Sequence, residues 1–68
     1  MVKYYVNKNP QDNGDHEVHK FGCFWLPKAE NRIYLGSFAN CKDAVKEAKK
    51  HYNNVNGCYH CSRACHTS

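Results

Sequence analysis

Two short patterns in the 68-residue chain place soft donor atoms at the spacing of metal ligands. Cys58-Tyr59-His60-Cys61 is a Cys-x-x-Cys, in which a tight turn lets both thiolates reach one tetrahedral ion. His19-Lys20-Phe21-Gly22-Cys23 offers an imidazole and a thiol separated by three residues, a second pair able to close the coordination sphere. The candidate site is therefore His19, Cys23, Cys58 and Cys61, and the ion that such a donor set suits is zinc. Gly57 directly before the Cys-x-x-Cys eases its turn. Cys61 and Cys65 are also at ligand spacing, so Cys65 or His66 stands as an alternate for the fourth ligand. Thirty-four residues separate Cys23 from Cys58, so a shared ion would cross-link distant parts of the chain and act structurally. The competing accounts are buried thiols without metal and a redox Cys-x-x-Cys. The redox motif belongs between a strand and a helix start, whereas this one follows a helix.

The elements that must carry these residues can be outlined. Lys3-Tyr4-Tyr5-Val6-Asn7 is aromatic and β-branched and reads as a first strand, closed by the turn-forming run Asn9 to Asp15. His16 to Phe21 resumes a strand that returns antiparallel to the first, across a loop too long for a tight hairpin. Arg32 to Phe38, with Ile33 and Leu35 on one face, is a third strand. Asn40 with Asp43 three residues on resembles a helix start, and Cys41, Ala44, Val45, Ala48 and Tyr52 form one apolar stripe. Asn53 to Gly57 ends that helix. The expected fold is one small α+β domain over residues 1–68, a three-stranded antiparallel sheet with one packed helix and a C-terminal Cys-x-x-Cys zinc knuckle.

Composition explains why a cross-link is wanted. Leu, Ile, Val and Phe total 11 of 68 residues, a thin aliphatic supply, and domains of this size commonly need a metal, disulfides or a partner. No stretch approaches the 18 or so apolar residues of a membrane span, and the N-terminus lacks the apolar core of a secretory leader. A soluble, cytoplasmic protein is expected, with no membrane partner and with reduced cysteines, since disulfides are rare there. Five cysteines, an odd count, agree better with ligation than with full pairing.

Taken together, His19 and Cys23, the run Glu30-Asn31-Arg32-Ile33-Tyr34, Ser37, Ala44 and Gly57-Cys58-Tyr59-His60-Cys61 resemble the Ada-type metal-binding domain in its short bacterial form. The resemblance spans roughly residues 16 to 61, and its two ligand pairs are its specific part. It implies a zinc module beside a small sheet, in a DNA-associated setting. It does not carry methyl transfer across, because the family's acceptor cysteine, the first residue of the first pair, is here His19. A fainter resemblance to the small YegP-like domains lies in three strands followed by a helix.

The net charge of +4 favours an anionic partner. Lys42, Lys46, Lys49 and Lys50 on the helix, with Lys20, Lys28 and Arg32, could form a phosphate-facing surface, although Asp43 and Glu47 interrupt it and a plain solvated helix face has the same composition. Phe24 and Trp25 could stack on bases, but in so aliphatic-poor a chain Trp25 is expected in the core. The resulting expectation is a non-enzymatic, zinc-stabilised binding module for nucleic acid or a protein. The alternatives are a thiol redox or alkyl-accepting protein using Cys23 or Cys58, and a metal-free partner-binding domain.

Overall fold

The computed structural model of the chain describes residues 1–67. Strand β1 (Val2–Asn7) turns Tyr4 and Val6 inward and is flanked on both sides. Strand β2 (His16–Lys20) returns antiparallel to it, with Tyr5 opposite His19 and Val6 opposite Val18. The intervening loop closes on itself through side chains, the Asn7 and Asn13 amide oxygens each accepting from a backbone N–H two residues on, the Asx turn that makes such residues turn formers. Strand β3 (Arg32–Phe38) pairs antiparallel along the other edge of β1. Its register slips because Tyr4 faces Gly36 while Tyr5 faces Tyr34, which leaves Leu35 as the extra residue of a bulge. Gly36 follows it at φ 127°, a conformation open to glycine at little cost.

The sheet is not the expected trio of antiparallel strands. A fourth strand, β4 (Val55–Gly57), pairs parallel to β2, giving the order β3-β1-β2-β4 and a mixed sheet. The segment expected only to end the helix is thus itself part of the sheet. Three residues, two of them Asn and Gly, carry no apolar alternation. The strand exists because the β3-to-helix crossover returns the chain beside β2, where backbone bonds extend the ladder at both ends: His16 N–H donates to Asn54 O and Cys58 N–H to Val18 O, each at 2.9 Å.

Helix α1 (Cys41–Ala48) begins where expected, with Asn40 Oδ1 accepting from the Asp43 amide at 3.0 Å. It ends earlier than its apolar stripe. Beyond Ala48 the chain makes looser turns, and Tyr52, still packed against the core as the stripe implies, also stacks on the His16 ring, centroids 3.7 Å apart. The helix lays Cys41, Ala44 and Ala48 on Tyr4, Val6, Val18 and Leu35, with Ile33, Val45 and Phe38 packed around them. Each fully buried valine contributes about 1.5–3 kcal/mol, so this core is real but small.

The reduced state expected for all five cysteines is corrected. Cys41, the first residue of α1, forms a disulfide with Cys65 across 24 positions, leaving Cys23, Cys58 and Cys61 as the free thiols. The helix start and the short 3-10 turn Arg63–Cys65 are in contact, which brings the two sulfurs together. Elimination from composition cannot see such a pairing.

Candidate metal centre

The four residues singled out by spacing converge. His19 lies near the end of β2, Cys23 on the turn that follows, and Cys58 and Cys61 on the turn leaving β4. Pairing β4 beside β2 is what brings the two loops together, with Gly57 opposite Val18 one residue from each pair. One donor atom from each of the four lies within 4.8 Å of all the others, so the set can hold a single metal ion. Cys23 Sγ is 3.6 Å from His19 Nδ1 and 3.9 Å from Cys58 Sγ, and Cys61 Sγ is 3.9 Å from the same imidazole nitrogen.

The surroundings suit ligation. Alternation along β2 sends His19 to the face opposite Val18, and the thiol-bearing turns cover it so completely that it is 1% exposed. Burial pushes its pKa down to about 4, which keeps the imidazole neutral, the form that ligates. Its Nδ1 faces the sulfurs. Its Nε2 has no hydrogen-bond partner among the described residues, while Glu17 Oε1 stands 3.6 Å away. A carboxylate placed on the far nitrogen is the usual outer partner of a ligating histidine. The Lys20 N–H donates to Cys61 Sγ at 3.4 Å, a bond suited to a sulfur carrying negative charge. Burial pushes the Cys58 and Cys61 thiols up, opposite to the lowered pKa of a reactive thiol.

Glu17 and the Lys20 amide were not found among the sequence motifs. The first had a signal, since a residue two before His19 on a strand shares its face. Gly57 serves the site differently from expectation. A Cβ there would come within 2.7 Å of Cys65 Cβ and of the Ser62 carbonyl, so glycine permits close packing of the C-terminal turn.

The alternate ligands do not join the site. Cys65 is committed to the disulfide, and His66 Nδ1 is within 3.0 Å of the Gly57 carbonyl. Of the basic residues, Lys42, Lys46 and Lys49 line one groove of about 490 Å3 between α1 and residues 64–67. Lys50 pairs with Glu47 at 3.1 Å. Arg32 lies on β3, its guanidinium 4.5 Å from the Tyr5 ring and bonded to the Pro27 carbonyl. Trp25 is not in the core but 57% exposed. No helix is long and apolar enough to cross a membrane among the described residues. No family model, curated protein or solved structure matches the chain.

Proposed function

We propose that the chain is a small zinc-stabilised binding module without catalytic activity. The observation that carries this reading is the convergence of three sulfurs and one imidazole nitrogen within 4.8 Å. Around a tetrahedral zinc with Zn–S of about 2.3 Å and Zn–N of about 2.05 Å, neighbouring donors are separated by about 3.8 Å for two sulfurs and about 3.6 Å for sulfur and nitrogen. Three of the six donor separations, at 3.9, 3.6 and 3.9 Å, lie within about 0.3 Å of that cage, and the full set, within 4.8 Å, would draw together around an ion. Thiolate-rich sets with one histidine are the closed, structural kind, and the Glu17 carboxylate supports the imidazole from behind. When bound, zinc supplies a cross-link between the end of β2 and the turn after β4. These pairs are the positions on which the Ada-type resemblance rests, and the proposal carries that resemblance no further.

A binding role fits the chemistry that is left. The four donors are used by one ion, no position remains for a substrate, and the basic groove of Lys42, Lys46 and Lys49 offers an anionic partner a second contact. We place the protein in the cytoplasm, although the Cys41–Cys65 disulfide is unusual for a reducing compartment. Cobalt(II) titration of the full chain tests the site. One equivalent should give the intense visible and sulfur charge-transfer bands of a tetrahedral thiolate complex, displaced by zinc and lost in Cys61→Ala. Weak octahedral bands, or spectra unchanged by that substitution, would overturn it.

A further inference from the structure

Both loops that supply metal ligands also present aromatic rings to solvent. Phe24 and Trp25 directly follow the ligand Cys23 and are 92% and 57% exposed, and Tyr59, between Cys58 and Cys61, is 48% exposed. The rings lie against one another across the two loops. Trp25 stacks on His60 with centroids 5.3 Å apart and planes 29° from parallel, Phe24 meets Trp25 edge-on, and Tyr59 meets His60 edge-on. Arg63 lies over the Tyr59 ring at 4.9 Å. In a chain so poor in core residues, leaving its only tryptophan outside calls for an occupant.

Charge decides which occupant. Residues 20–28 and 57–67, the segments that build this surface, contain Lys20, Lys28 and Arg63 and no Asp or Glu. Flat rings with Arg63 beside them, on segments that carry cations and no acid, suit unpaired bases on a phosphate backbone, because every base offers a π-face and duplex bases are already stacked. We propose that Phe24, Trp25, Tyr59 and His60, edged by Arg63, form a stacking platform for single-stranded nucleic acid. This rests on the zinc-module reading, since the ion would hold the two ring-bearing loops in register.

The test uses the zinc-loaded full chain at low salt with oligo-dT and oligo-U of about 12 nucleotides and a duplex of equal length. Trp25 fluorescence should be quenched by both single strands, and labelled-oligonucleotide anisotropy should show tighter binding to them than to the duplex. Trp25→Ala should weaken binding about tenfold with zinc content unchanged, and Trp25→Phe should restore most of it. A zinc-loaded chain that binds no single strand, or binds the duplex as well, or is indifferent to Trp25→Ala, overturns this inference and leaves the zinc module standing; a protein partner would then be the occupant. A chain that takes up no zinc overturns both.

Discussion

The molecule has two interiors of opposite chemistry on either side of β2. Under the helix, Val6, Val18, Ala44 and Ala48 are fully buried, and this interior is stable in any solvent that drives apolar surface from water. At the end of β2, His19 and Cys58 are buried just as deeply, yet an imidazole nitrogen without a hydrogen-bond partner among the described residues is a cost in itself. On the zinc-module reading, an ion would turn that second interior into a source of stability, its binding free energy becoming folding free energy. On that reading, a chain with few aliphatics finishes its core with ligands. The two interiors are also tied differently, since the Cys41–Cys65 disulfide anchors the C-terminal turn to the helix. On the zinc-module reading, one cross-link would answer to a chelator and the other to a reductant.

The largest effect should come from emptying the polar interior. Structural zinc contributes on the order of 10 kcal/mol in small domains, comparable to a domain's whole stability. A strong chelator should therefore abolish the cooperative thermal transition followed by circular dichroism, and a melt unchanged by chelation would mean that the apolar interior suffices. Next comes the disulfide. By chain entropy, closing a loop of this size contributes about 3.5 kcal/mol, so the double variant Cys41→Ala/Cys65→Ala should melt about 15–25 °C lower while keeping its zinc. Loss of zinc in that variant would show that the two cross-links are one unit. The native chain, unfolded in chelator without reductant, should titrate three thiols, those of Cys23, Cys58 and Cys61; five would mean that the disulfide is absent in solution. Smaller still is Gly57→Ala. Its methyl would press on Cys65 and the Ser62 carbonyl where both regions meet, costing about 1–3 kcal/mol by overpacking, read from denaturant melts; an unchanged midpoint would show that the turn yields freely.

The legible parts of this fold are those set by neighbours in sequence. Cys58 and Cys61 share a turn, and His19 and Cys23 lie on either side of another, so spacing alone points to the four residues whose donor atoms converge. Asn40 announces the helix because its cap reaches only to Asp43, and β1 and β3 carry enough aromatic and β-branched residues to declare themselves, whereas β2 offers only Val18 among polar neighbours. What spacing could not show depends on contacts far apart. Strand β4 is made by its neighbour, since Val55-Asn56-Gly57 acquires strand geometry from β2. Cys41 looked like a stripe residue and Cys65 like a spare ligand, and only the docking of the last turn on the helix makes them partners. The shortage of aliphatics points Trp25 inward, yet it is 57% exposed. It stays outside, on the loop after Cys23, where it stacks on His60.

The central claim is that one ion completes this fold at His19, Cys23, Cys58 and Cys61. Elemental analysis of the full chain, purified without chelator and paired with protein concentration from amino-acid analysis, tests it most directly. The account predicts about one zinc per chain, falling toward zero in Cys58→Ser and Cys61→Ser. A native-like, cooperatively melting chain with metal content near zero would contradict it.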